Sequence, residues 1–285
     1  MAFTQERIQK FYQSIQLPQV FVEQDRGFRR CCIPLLVLAG GSKTWENDIT
    51  SAWIKVSDPL DTFSFELQKD GVPVTNYIVE VEEFPNEDNA YYTTIRWADV
   101  LPLEGVGCFT LNIVYDISGI QGSIVWGQYN LQAWSVENAL GSARLRVFFN
   151  LNQEIEGINF TGANVEDSIR FRGFIGERQP NTETDNLIYN NRLEKSVVRE
   201  NLNSYIITTD PYSAEVLDLL TDLYLLSENE LFISDYNAHN PSYRINDIPQ
   251  IVEESPEIDY LDKFSRDAVL TCKTGDKKKN KRTFY

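Results

Sequence analysis

The spacing of hydrophobic and polar positions changes twice along the chain. In MAFTQERIQKFYQSIQL, residues 1–17, Phe3, Ile8, Phe11, Tyr12 and Ile15 fall on one stripe of a helix that Thr4 can cap and Pro18 ends. Such a stripe needs cover, either from its own domain or from a neighbouring subunit. From about residue 28 to 160 the period becomes two. Trp53–Val56, Thr62–Leu67, Tyr77–Val81, Tyr91–Trp97, Phe109–Tyr115, Ser123–Trp134 and Ala143–Phe149 alternate apolar with polar residues. Turn chemistry such as Lys69-Asp70-Gly71, Pro85-Asn86 and Gly105-Val106-Gly107 separates them. Strands in that density without intervening helical patterns predict an antiparallel β-sandwich or jelly-roll-like domain.

Residues 161–272 begin in the same way. Ser168–Phe174 alternates Ile169 and Phe171 with Arg170 and Arg172, and Ser204–Thr208 and Leu231–Ser234 read as further strands. Gly176–Asp185 is polar throughout and predicts an exposed loop. Asp210-Pro211 predicts the start of a helix over 211–226, with Val216, Leu219, Leu220, Leu223 and Leu226 as its buried stripe and Glu215, Asp218 and Asp222 on a solvated face. Ala268–Cys272 predicts a last strand before a basic tail, 273–285. The expected fold is mainly β: an N-terminal helical arm (1–27), a β-sandwich domain (28–160) and a second β-sandwich-like domain with one helix (161–272).

Composition supports a folded chain. Hydrophobic residues make up 42% and charged residues 24% of 285, outside the range of disordered sequences. At this length a single core usually divides, in keeping with two domains. Lys and Arg number 26 against 42 Asp and Glu, a net charge of −16 that disfavours general binding to phosphate backbones. The charge is uneven. In the tail, Lys273, Lys277, Lys278, Lys279, Lys281 and Arg282 face one acid, Asp276, a net of +5 that leaves −21 on the other 272 residues. Asp247, Glu253, Glu254, Glu257, Asp259, Asp262 and Asp267 offer that tail a complementary surface on another copy. The tail reads equally well as a solvated end.

Candidate chemistry is sparse. One histidine, His239, stands without a nucleophile signature near it, so a hydrogen bond within a loop is expected in place of a base. Cys31 and Cys32 are adjacent, and Cys108 and Cys272 are isolated, so neither a zinc site nor a disulfide framework is expected. No calcium-loop pattern occurs, and isolated carboxylate-loop cation sites, for example around Asn86–Asn89, stay open. Leu38–Thr44 ends in Lys-Thr but has Val37 and Ser42 at both glycine positions of a phosphate-binding loop, so a turn is expected. Close carboxylates such as Glu82-Glu83 and Glu253-Glu254 are unavoidable among 42 acids and do not by themselves indicate glycoside hydrolysis. Trp53, Trp97, Trp126 and Trp134 lie in phase with apolar strand faces and predict core packing. Trp45, in a polar stretch, is the candidate surface contact. No signal-peptide pattern and no 18-residue apolar run is present, so a soluble chain without a membrane span is expected. The expectation is a non-enzyme without cofactor or metal, with Phe3, Phe11, Trp45, Lys277, Lys278, Lys279, Lys281 and Arg282 as partner contacts.

The segments Ser168–Pro180, Asn186–Tyr189 and Leu220–Tyr236 together resemble virion proteins of tailed bacteriophages, notably the crAss-like phages. In those proteins β-sandwich modules form the rings and hub below the portal. The resemblance implies a structural subunit of a virion neck or tail, made in the bacterial host cytoplasm. Its implied partners are copies of itself in a ring and other tail or portal proteins, and DNA would pass along the conduit without specific binding. A carbohydrate- or receptor-binding β-sandwich module of the virion is the alternative.

Overall fold

A computed structural model of the chain describes residues 35–56, 62–117, 120–149, 154–155, 158–176, 179–188, 194–225, 231–235, 245–261, 267–277 and 280–283. The N-terminal arm with Phe3 and Phe11, together with Cys31, Cys32, His239, Lys278 and Lys279, lies outside these residues.

The first half supplies β1 (Leu35–Ala39), β2 (Ile49–Lys55), β3 (Thr62–Lys69), β4 (Val72–Pro73), β5 (Glu82–Glu83), β6 (Ala90–Arg96), β7 (Gly107–Ile117) and β8 (Ile120–Ala133). They form a five-stranded sheet in the order β1-β8-β7-β3-β4 and a three-stranded sheet in the order β2-β6-β5. The β1–β8 pair is parallel and the other pairs are antiparallel. Two elements differ from expectation. Within Tyr77–Val81 the alternation is present, with Tyr77 and Val79 packed on the core, but the segment joins no ladder. Trp97 does not end a strand but starts helix α1 (Trp97–Glu104), where its indole donates to Thr50 Oγ1 at 2.9 Å.

Helix α2 (Val136–Ala139) leads into the second half, with Ser135 accepting from the Asn138 amide as its N-cap. There follow β9 (Ser142–Phe148), β10 (Glu154–Ile155), β11 (Ile158–Asn159), β12 (Glu166–Ile175), β13 (Gln179–Ile188), β14 (Glu194–Thr209) and β15 (Tyr212–Ser213). Helix α3 (Ala214–Leu219) continues as a π-helical turn over Leu220–Leu225. Then come β16 (Leu231–Asp235), β17 (Ile245–Val252), β18 (Glu257–Tyr260), β19 (Asp267–Asp276) and β20 (Asn280–Thr283). The polar stretch expected as a loop from Gly176 is largely strand β13. The helix begins three residues later than Pro211, because Tyr212 and Ser213 pair with Ala268 and Asp267 of β19. Val216, Leu219 and Leu220 are buried as the stripe requires.

The second sheet is not an open sandwich layer. Following its pairings, β14, β12, β9, β16, β17 and β19 return to β14, a closed six-stranded antiparallel barrel. Closure removes unpaired edges from those staves. Gly173 permits it: a side-chain carbon there would strike the Thr208 carbonyl oxygen and come within 2.9 Å of Thr209 Cα, and its φ is +150°. One stave, β9, precedes residue 160, and a single buried cluster joins residues of both halves, from Val37 to Cys272.

Strand β2 links the five-stranded sheet to the barrel. Trp126 on β8 donates to the Ser51 carbonyl on one side. Toward the barrel, the Ser168 hydroxyl both accepts from the Ile49 amide (2.8 Å) and donates to the Ile49 carbonyl (2.9 Å), and Ser51 Oγ donates to the Glu166 carbonyl. Among the described residues no helix is long and apolar enough to cross a membrane.

A buried arginine and carboxylate cluster as the candidate site

The strongest electrostatic feature lies where the first half meets the barrel. On antiparallel β9 and β12, Arg144 sits directly opposite Arg170 and Arg146 opposite Ser168, two rows apart with the Leu145 and Ile169 pair between. Strand alternation therefore points both arginines of the first row to the same face, where like charges repel. Both are buried, with side chains 1% and 0% exposed. Asp48, itself 1% exposed, comes from the turn after β1 and stands between them. Its Oδ1 accepts from Arg144 Nε at 2.7 Å and Arg170 Nη2 at 3.0 Å, and its Oδ2 accepts from Arg170 Nε at 2.9 Å and the Leu38 amide at 2.8 Å. Arg144 Nη2 also donates to the Asn47 carbonyl. Burial pushes the Asp48 carboxyl up, and the two guanidiniums with the Leu38 N–H outweigh it, holding the group below the usual carboxylate range.

The cluster continues outward. Arg146 grips Asp247 with two bonds, Nε at 2.9 Å and Nη2 at 2.6 Å, and donates to Glu166 at 2.9 Å through Nη1. Its guanidinium also lies 4.0 Å from the Phe232 ring centroid. Arg96 reaches the other Glu166 oxygen at 3.5 Å. Asp247 holds a φ of +49° and donates its amide to Ser234. Four guanidiniums thus face three carboxylates inside a chain of strongly negative net charge. Asp48, Arg144 and Arg170 are buried and pair with one another, so the inner part of the arrangement joins elements, while Arg96 at its outer end is half exposed.

Asp167, next to Glu166, behaves in the opposite way. Burial pushes its carboxyl well above the ordinary value, against hydrogen bonds from Ser168, Ser51 and Tyr224. A carboxyl whose pKa rises on folding adds stability that is complete below its unfolded value, near 3.8, and is lost as pH rises through the folded value. Asp167→Asn should therefore leave stability unchanged at acid pH and flatten its decline as the pH is raised. Urea unfolding midpoints across a pH series check this, and parallel profiles for the two proteins would refute it.

The residues singled out from sequence are dispersed. Trp53, Trp97 and Trp126 are core, whereas Trp134 and Trp45 are half-buried beside Leu38 and Ala139. Lys43 stands 6.0 Å over the Trp45 ring, so this tryptophan does not present a clear platform. The loop at Leu38–Thr44 is a turn closed on itself: Gly40 and Gly41 amides donate to Asn47 Oδ1, and the Lys43 amide donates to Glu46. Asn86 Nδ2 donates to the Thr161 carbonyl, and no group of three or more metal-ligating side chains is found among the described residues. Cys108 is exposed and Cys272 buried, burial with the nearby Glu254 raising the latter's thiol to about 11.

The basic tail is also redrawn. Lys273 belongs to β19 and bridges Glu253 and Glu254, Lys277 is exposed, and Lys281 and Arg282 lie in β20, opposite Glu200 and Arg199 of β14. Three of the acids expected to meet that tail on another copy, Asp247, Glu253 and Glu254, are therefore engaged within the chain. The ion cluster itself escaped sequence reading, because Arg170 and Arg172 alternate with apolar residues as a solvated face would. The available signal was Arg144 and Arg146 alternating with Ala143, Leu145 and Val147 in the same manner. No protein-family model matches the chain, and no curated protein matches it.

Proposed function

We propose that this chain is a structural subunit of a tailed-phage neck or tail, a ring or hub component below the portal that forms part of the DNA conduit. The observation that carries the reading is the course of β14. From Ser204 to Thr209 it is a barrel stave, whereas over Glu194–Asn203 its partners among the described residues are β13 and, at Val198–Asn201, β20. That portion, with β13 and β20, is a ribbon about 33 Å long by strand rise, rich in polar residues and carrying the basic Lys281 and Arg282. A ribbon anchored in a closed barrel offers one copy an element to lay on the next, which is how a heterologous contact builds a ring. The buried ion cluster supports the reading by locking the ribbon's barrel to the first half. The net charge of −16 suits a wall that DNA passes without adhering. The glycan-binding alternative needs an aromatic platform, and Trp45 lies half-buried under Lys43.

Class averages of the purified chain and of particles by electron cryo-microscopy test the proposal. Closed cyclic symmetry near the portal is the expected result; a monomer in particles, or a basic channel face, overturns it. Deleting all of 273–285 would be uninformative, because Lys273–Asp276 complete a barrel stave. Deleting 278–285 removes β20 alone. It should preserve far-ultraviolet circular dichroism and shift the sedimentation profile toward monomer; an unchanged profile would exclude the tail from assembly.

A further inference from the structure

We infer that an exposed apolar patch at the β4 edge of the five-stranded sheet receives the N-terminal segment, residues 1–17, of a neighbouring copy. The inference rests on the ring reading above. Ile78 is 80% exposed, Val72 65%, Val106 54% and Leu103 50%. Three neighbouring segments carry them, tied together by hydrogen bonds. Lys69 Nζ donates to the Glu104 carbonyl, the Asn76 amide to Glu104 Oε1 at 3.0 Å, and the Asp70 amide to the Cys108 carbonyl at 3.0 Å. Within 72–81, Val74, Tyr77 and Val79 pack inward, so the outward Val72 and Ile78 are surplus to this chain's core. Exposed apolar residues gathered in this way mark a docking surface.

Charge and pattern identify the occupant. Residues 66–107 hold nine carboxylates against Lys69 and Arg96, a net of −7. Residues 1–17 hold Arg7 and Lys10 against Glu6, a net of +1 in a chain whose net charge is −16. Ile8, Phe11, Tyr12 and Ile15 follow the i, i+3, i+4, i+7 spacing of a helix that lays one face into an apolar groove. The ring reading makes the occupant a segment of a second copy. Leu35, where the arm joins β1, shares a row with Tyr129, Phe109, Lys69 and Val72 across the whole sheet. Leu35 thus stands at one edge and Val72 at the opposite edge, about 19 Å away by strand spacing. Edges that differ and complement each other give a head-to-tail contact, and residues 18–34 span up to about 55 Å when extended.

The test uses the full-length chain with a benzophenone amino acid in place of Phe11, mixed with an equal amount of ¹⁵N-labelled chain and irradiated. Expected are light-to-heavy crosslinks from position 11 to peptides within 69–81 or 97–107. The variant Ile78→Asp with Leu103→Asp, at exposed positions that should leave circular dichroism unchanged, should lower their yield about tenfold or more, as loss of one apolar anchor set implies. Rings whose crosslinks fall within one copy or on other segments overturn the docking and leave the ring reading standing. A chain that sediments as a monomer at every concentration, without light-to-heavy crosslinks, overturns both.

Discussion

Replacing Asp48 with alanine should destabilise the protein by about 3–5 kcal/mol, the usual cost of removing one partner from a buried ion pair. The melting midpoint should fall by roughly 10 °C for a chain of this size. The cause is not loss of attraction alone. Arg144 and Arg170 would remain buried and opposite each other without the carboxylate that stands between them, Arg144 keeping its 3.5 Å contact to Asp247, and the Leu38 amide would lose its acceptor. The effect should also depend on acid. Because the Asp48 carboxyl is held below its ordinary value of 3.8, its contribution is complete above that pH and is lost as pH falls through the lowered value. Differential scanning calorimetry from neutral pH into increasing acid separates the two regimes, with wild type and variant converging once the carboxyl is protonated. Substituting all three charges together, Asp48→Leu with Arg144→Met and Arg170→Leu, should recover most of the loss, since apolar groups of similar volume replace buried ion triads at little cost. A triple variant as unstable as Asp48→Ala would show that packing, and not uncompensated charge, governs the site.

Trp53→Ala should cost about 3–5 kcal/mol by opening a cavity at the centre of the core. Trp53 lies on β2 with no exposed surface, 5.2 Å from Trp126 of the five-stranded sheet and 5.2 Å from Phe160, and it packs edge-on against Phe149. Its ring thus touches both the five-stranded sheet and the segments that flank the barrel stave β9. Losing it should broaden the unfolding transition, as the two halves separate in stability. Trp53→Phe should cost much less, because the indole N–H finds no hydrogen-bond partner among the described residues and most of the ring contact survives. Guanidinium titrations followed by circular dichroism read both; an alanine variant as stable as the phenylalanine one would show that the site collapses without cost.

Much of the β framework was legible locally. Alternation in Thr62–Leu67, Phe109–Tyr115, Ser123–Trp134 and Ala143–Phe149 corresponds to β3, β7, β8 and β9, because a half-covered strand must alternate. Strand β13 was not legible. Gln179–Ile188 carries a polar sequence whose strand state comes from backbone pairing with β14, and side-chain pattern does not record backbone pairing. Helix α1 was hidden by Pro102 near its end and by Trp97, which continues the alternation of β6. The partner contacts divide likewise: Lys281 and Arg282 belong to a paired strand, a state that a run of basic residues does not announce.

By itself the sequence determined that the chain folds, that it is mainly β, and where most strands run, because two-residue periodicity and turn chemistry act over a few neighbouring residues. Only the tertiary structure decided that the second sheet closes into a barrel, that β9 crosses into it, and that Arg144 and Arg170 are interior. Asp48 meets those arginines across 96 and 122 residues of sequence. An alternating arginine is solvated or buried according to whether a distant carboxylate reaches it, and that encounter is settled when sheets pack, not along the strand.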